Sequence, residues 1–345
     1  LTKGICILLV VHFHIVLKDY ASVPWNSREV AQAWYDVVIA LLPLRMPTFF
    51  LISGFLASAS LSRSLENVEN SRIKSHLYLY TIWSVFLSIY FMHSGFQRWA
   101  TGLHLTEDLV LALGGTSPVW YLLALSLYFM ITYASRQLRW WIPVVPSLLL
   151  SIYAEAATST LSWGPQEIAR NLVFFLIGAR LPQVLKFIAA RASGYQFGLL
   201  VIAFITVSIF VNPVTQSEVR PFISVIAIPA VLMGAVLATR NQVIAQAGTW
   251  LGARTLPIYL LHFPVVAALG LLTRAVFEDV LAPSALAAVL YPLVVTAASV
   301  LLSLLLHRSI RSLGCNWVFE MPRGASLHRV ARARAWLSNR ARARP

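Results

Sequence analysis

Lys3 and His14 stand eleven residues apart in KGICILLVVHFH, a run that is otherwise apolar. At roughly 100° per residue they lie about 20° apart around a helix and about 16 Å apart along it, so they share one stripe. The pair offers a fixed cation near one end of a span and, deeper in, an imidazole able to exchange a proton at neutral pH. His12 is turned about 160° from His14 and faces elsewhere. Arg45 lies in LRMPTFFLISGFL together with Pro47, which frees backbone groups that protein or water must satisfy, and with Ser53-Gly54, which permits close helix packing. His262 falls between two prolines in PIYLLHFPVV. Ionisable groups in hydrocarbon are costly, and a use is their default explanation.

The elements that must position these groups are membrane spans. Of 345 residues 58% are hydrophobic and 12% charged, against roughly 25% charged for an ordinary soluble domain, and the mean hydropathy is +0.72. Apolar runs of about 20 residues, enough to cross about 30 Å of hydrocarbon, recur along nearly the whole chain. The pattern predicts an all-α, polytopic transmembrane bundle of about ten spans: 4–20, 34–59, 76–92, 118–134, 140–156, 169–187, 195–212, 221–239, 249–272 and 284–306. The first run shows no small-residue cleavage site and is expected to stay in the mature protein. The expected organisation is a membrane-embedded domain over 1–312 and a basic tail over 313–345. Cys6 and Cys315 lack the spacing of a disulfide framework, metal site or redox pair. P-loop, dinucleotide and HExxH patterns are absent from the sequence, and no metal or bound cofactor is expected.

Ten spans put both termini on one side, and basic residues decide which. With a cytoplasmic N-terminus, 20 of the 27 Lys and Arg residues fall inside, 6 outside, and Arg45 within a span. The expected location is therefore the cytoplasmic (inner) membrane with both termini in the cytoplasm. Acidic residues show the opposite bias, 10 of 13 lying outside: Asp19, Glu29, Asp36, Glu107, Asp108, Glu155, Glu167, Glu218, Glu278 and Asp279. Soluble outer loops account for that, and an outer vestibule for polar cargo is the alternative. The segment after the last span holds Arg308, Arg311, Arg323, Arg329, Arg332, Arg334, Arg340, Arg342 and Arg344 and supplies most of the +14 net charge. It is juxtamembrane and has no aromatic platform beside it, so anionic membrane lipids, at about 1 kcal/mol per basic residue, are its expected partner, and nucleic acid is not.

Arg45 lies about eleven residues in from the outer end of its span and His14 about ten from the inner end of its own, so both reach mid-membrane and can face one cavity. An arginine at this depth is too far in to snorkel easily. His262 either bonds a neighbouring helix or contacts substrate. In SPVWYLLALSLYF, Trp120 and Tyr121 sit at an outer interface, where belt anchoring explains most aromatic content.

Taken together these stretches resemble the acyltransferase type 3 membrane proteins, which modify surface and extracytoplasmic glycans and lipids. KGICILLVVHFH resembles the family's first-span pattern of a basic residue, ten intervening residues and a histidine, and it selects Lys3 and His14 rather than His12. RMPTFFLISGFL resembles the second-span signature, VWYLLALSLYF the tryptophan-bearing fourth span and PIYLLHFPVV the late-span histidine motif, in the family's order. Lys3 stands where arginine is usual, which keeps the charge but loses the planar donor fork. Coverage runs from Lys3 to about His307. No soluble hydrolase-like domain follows the spans within these residues, so the expected acceptor is one that itself reaches the membrane.

The resemblance implies a transferase taking an acyl group from cytoplasmic acyl-CoA, its co-substrate, to a hydroxyl of an extracytoplasmic glycan, glycolipid or small sugar. His14 is the expected general base, and Arg45 orients the acceptor or stabilises charge on the thioester oxygen. Lys3, Arg72, Lys74, Arg136 and Arg139 lie on the inner side, where CoA phosphates must dock, although each alone also fits ordinary positive-inside charge. Ser53, Trp120, Tyr121 and His262 complete the expected substrate contacts. The rival reading is a carrier of an anionic or glycosylated substrate bound by His14, Arg45 and His262, although the spans show no repeat relating two halves. The orientation is testable first: a topology reporter fused after Pro345 should be active only in the cytoplasm, and activity confined to the outer side would reverse the assignment.

Overall fold

The computed structural model describes residues 1–62, 69–93, 105–156, 162–211 and 219–322. Among these the chain is all-helical, without strands. The helices are α1 (Thr2–His14), α2 (Arg28–Ala40), α3 (Leu42–Ser58), α4 (Ser75–His93), α5 (Leu105–Leu111), α6 (Trp120–Ala134), α7 (Trp141–Ala156), α8 (Trp163–Arg180), α9 (Pro182–Ala190), α10 (Gly194–Phe210), α11 (Arg220–Ala238), α12 (Gln242–Gly252), α13 (Thr255–Leu272) and α14 (Ala285–Ser312). Expected residues 323–345 of the basic tail, and Glu218, lie outside the described residues.

The count of about ten spans is not confirmed. Among the described residues five helical stretches are long and apolar enough to cross a membrane by length and composition: Thr2–Ser22, Arg28–Ser58, Arg220–Ala238, Thr255–Val276 and Ala285–Ser312. Two bent pairs raise this to seven, one bending by 48° between Leu109–Thr116 and Trp120–Ala134, the other by 77° between Trp163–Arg180 and Pro182–Ala190. Hydropathy read along the chain cannot see such bends. At the second, Pro182 opens a new helix after Leu181 leaves helical geometry, because proline cannot continue the hydrogen-bond ladder of the helix before it. The expected spans at 140–156 and 195–212 form helices of only 16 and 17 residues.

Two helices form the centre. α1 packs against α3, α12, α13 and α14, and α3 packs against α1, α8 and α11. The closest of these contacts is between α3 and α8, and glycine makes it possible. A Cβ at Gly54 would fall 2.0 Å from the Phe175 carbonyl oxygen, and one at Gly178 2.0 Å from that of Leu51. The two backbones thus touch directly, each through the other's glycine, as small residues permit in a membrane where burial of apolar surface supplies little drive between helices.

The periphery is apolar. No residue of α10 is buried, and Ile202, Ile209 and Phe210 are 63%, 73% and 79% exposed. Lipid is the solvent that suits such a surface. Beyond Ser312 the chain turns at Gly314, whose φ of +80° suits glycine, and buries Phe319 beside Trp83 and His307. The Trp83 indole N–H donates to the Val318 carbonyl at 2.8 Å.

Gly54→Ala should therefore destabilise the folded protein by about 1–3 kcal/mol, the usual range for overpacking. Gly198→Ala, with nothing within 4 Å of the added carbon, is the control that should leave the unfolding midpoint in lipid nanodiscs close to wild type. Equal midpoints for the two variants would refute the backbone contact.

Candidate active site

α1, α3, α6, α7, α8, α11 and α13 enclose a cavity of about 410 Å³ at the face where α3, α6, α8 and α11 begin, and His14 and Arg45 both line it. The Arg45 guanidinium lies over the Phe13 ring at 3.6 Å, a cation–π contact that suits a buried cation. Pro47, two residues along α3 in the same cavity lining, removes a backbone donor from the helix that carries Arg45.

His14 is held by rings on α13: its own ring lies 4.5 Å from Phe263 and 5.4 Å from His262. His262 is fully buried and lines neither this cavity nor the second one described below. Its Nδ1–H donates to the carbonyl of Tyr259 at 2.7 Å. Both neighbours of Nδ1 are carbonyl acceptors, so the proton of a neutral ring must sit there, which leaves Nε2 as the bare nitrogen. Nε2 has no hydrogen-bond partner among the described residues.

His12 takes a different place. Its Nδ1 lies 3.0 Å from Thr296 Oγ1 on α14, and the Thr296 hydroxyl donates to the Pro292 carbonyl, so His12 is the donor. Its ring meets Trp34 edge-on at 5.2 Å. His12 thus fastens α1 to α2 and α14, away from the His14 cavity.

A second cavity, of about 320 Å³, opens at the opposite face and is lined by Lys3, Ser53, Arg72 and His76. The shared stripe of Lys3 and His14 is therefore divided between two chambers. The two are separated by packed side chains. Phe174 lines the first cavity and Phe175 the second, and Phe49 stands between Lys3, whose Nζ is 5.8 Å from its ring, and Tyr121, 4.8 Å away edge-on. Ser53 donates to the Phe49 carbonyl at 2.8 Å and receives the Tyr121 hydroxyl proton at 2.8 Å.

A family model described as an acyltransferase domain, Acyl_transf_3, matches residues 1–308. The chain belongs to this acyltransferase family. It is also 25% identical over 201 residues to Inner membrane protein YcfT of Escherichia coli K12, covering 51% of this chain and 54% of that one. The chain thus spans about half the length of the curated relative it matches. No solved structure matches it significantly.

Within this acyltransferase domain the expected residues divide. His14, Arg45 and Trp120 meet in the first cavity, and Lys3, Ser53 and Arg72 in the second. Tyr121 belongs to the partition. Lys74 and Arg139 are exposed and line neither chamber, and Arg136 is folded back on Tyr133, its guanidinium 3.9 Å from that ring and bonded to that residue's carbonyl.

Sequence reasoning missed several groups. Glu155, Glu167, Arg170, Arg220 and Asn171 line the first cavity. The outward bias of acidic residues was the available signal, and its vestibule reading includes two of them. His76 joins Lys3 and Arg72 because its Nδ1–H donates to the Arg72 carbonyl one turn back, a pairing hidden at i,i+4 spacing. Tyr259 was overlooked too. Its hydroxyl accepts the Tyr121 amide at 3.3 Å and donates to the Pro118 carbonyl at 3.1 Å, satisfying backbone groups at the start of α6 where the helix itself cannot.

Tyr259→Phe should strand both buried backbone groups and cost roughly 1–3 kcal/mol. Thermal unfolding in nanodiscs checks this against Tyr195→Phe, whose ring is 77% exposed and whose loss should leave the midpoint unmoved.

Proposed function

We propose that the chain is an integral-membrane O-acyltransferase moving an acyl group, acetyl or another short acyl, from cytoplasmic acyl-CoA to a hydroxyl of an extracytoplasmic glycan, glycolipid or small sugar. The observation that carries this reading is the pair of chambers opening on opposite faces, His14 and Arg45 in one and Lys3, Arg72 and His76 in the other. In this reading the basic chamber faces the cytoplasm, as the Lys and Arg asymmetry favours, both termini lie there, and lipids surround the bundle.

CoA phosphates dock at Lys3 and Arg72, with Lys74 close by and Arg136 and Arg139 contributing long-range attraction. The pantetheine arm passes the Phe49 and Tyr121 partition, bringing the thioester towards His14. The acceptor hydroxyl enters from the other side. His14 takes its proton as the oxygen attacks the thioester carbon, and negative charge develops on the carbonyl oxygen. Arg45 stabilises that charge. The C–S bond then breaks, and the departing thiolate receives the proton from the His14 imidazolium, so protons balance and the imidazole is regenerated. The Ser53 proton is committed to a backbone carbonyl and its oxygen lines the other chamber, which supports direct transfer without an acyl-serine. A carrier built on the same chambers would release its substrate unchanged.

His14→Ala should lower transfer by about 100- to 10,000-fold, the usual worth of general-base help, while the protein still binds acyl-CoA. His12→Ala removes a bond between helices and should keep most activity. Purified variants supplied with labelled acyl-CoA and membrane glycolipid extract decide the matter. Stable label on the protein would argue for a covalent intermediate, and an active His14→Ala beside a dead His12→Ala would reverse the assignment.

A further inference from the structure

The wall of the His14 cavity farthest from α1 carries a charge cluster that the acyl-transfer chemistry does not use. Glu155, on α7, has a side chain only 1% exposed and pairs with Arg170 of α8 at 2.9 Å and Arg220 of α11 at 3.4 Å. Arg170 also bonds Glu167. Burying four charges is costly even when they are paired, and apolar packing of the same volume is often as stable, so cohesion alone gives poor reason for the cluster.

Polar atoms in this wall are also left without a protein partner. Asn171 is 1% exposed. Its amide N–H donates to Glu167 at 2.9 Å on the carbonyl and 3.3 Å on the carboxylate, while its Oδ1, an acceptor, has no partner among the described residues. Arg170 Nε, a donor, is in the same condition. Buried polar atoms are normally satisfied, and both residues line the cavity. At the same wall Trp163, 46% exposed, meets Trp120 edge-on at 6.1 Å.

We infer that this wall is the acceptor-reading subsite and that it selects an uncharged polyhydroxyl ring, a neutral sugar unit. The inference rests on the reading of this chamber as the acceptor side. Each sugar hydroxyl both donates and accepts, so it matches a wall offering carboxylate and amide acceptors beside guanidinium donors, while the apolar face of the ring packs on Trp163. An anionic acceptor fits worse. Arg170 and Arg220 are already engaged by carboxylates, and Glu155 and Glu167 repel a second negative charge. Seated here, the sugar presents a hydroxyl across the cavity to His14, and the cluster acts by positioning it.

Equilibrium binding of radiolabelled maltose, trehalose and glucuronate to the full chain in lipid nanodiscs, with no acyl donor present, tests this directly. Saturable binding of at least one neutral disaccharide is expected, with glucuronate at least about tenfold weaker. Asn171→Ala should weaken the sugar about tenfold, as loss of a hydrogen bond in a dry site does, and Trp163→Ala about three- to tenfold. Both should bind acyl-CoA as wild type does, which a merely structural defect would not allow. Glu155→Gln leaves two guanidiniums short of counter-charge and can reduce folded yield, so the first two variants, which remove no ion pair, carry the measurement. No saturable binding of either neutral sugar, tighter glucuronate, or unchanged affinity in both variants would overturn the inference. Because no acyl donor is used, sugar binding that survives beside absent acyl transfer would count against the proposed reaction alone, and acyl transfer with unaltered acceptor KM in Asn171→Ala against the subsite alone.

Discussion

The Phe175 carbonyl occupies the space that any side chain at residue 54 would need, and the Leu51 carbonyl does the same at residue 178. This backbone contact between α3 and α8 sets the spacing of much of the site. α3 brings Arg45 and Ser53; α8 brings Glu167, Arg170 and Asn171, along with Phe174 and Phe175, whose side chains line opposite chambers.

A bilayer offers no water to unsatisfied backbone, so helices whose ladders are interrupted need partners from elsewhere. The site is built where these interruptions collect. Pro47 breaks α3 beside Arg45, Pro264 follows His262 in α13, and the bend before α6 is tied down by the Tyr259 hydroxyl. Each irregularity faces protein or a cavity, and the regular apolar surfaces of α10 and α14 are left to the lipid.

Much of the pairing in the candidate site was legible in the sequence. Helical geometry separated His14 from His12 by about 160°, and the structure seats one in a cavity and the other against Thr296. Equal depth placed Arg45 with His14, and both line the same chamber. Three things were not legible. The bend at Leu181 falls inside the expected span 169–187 and turns a continuous apolar run into a broken one, because hydropathy averages over direction. Lys3 and His14 share a stripe but line different chambers, because the side chains packed around each come from other helices, Phe49 of α3 beside Lys3 and Phe263 of α13 beside His14. The Glu155 cluster assembles from α7, α8 and α11, and no local spacing encodes an encounter of three distant segments. His262 was open between two roles; it lies behind His14 rather than in the cavity.

The partition between the chambers also has an electrical meaning. Where water reaches into a membrane protein from opposite faces, the membrane potential falls over the dry layer that remains rather than over about 30 Å of hydrocarbon. Any charge carried past Phe49 and Tyr121 would then do nearly full work against that potential, about 2.3 kcal/mol for each elementary charge per 100 mV. An acyl group is neutral. In the reaction proposed here the phosphates of CoA stay in the basic chamber and an uncharged fragment alone changes compartment, so the same layer that insulates the membrane places no voltage-dependent barrier on the transfer.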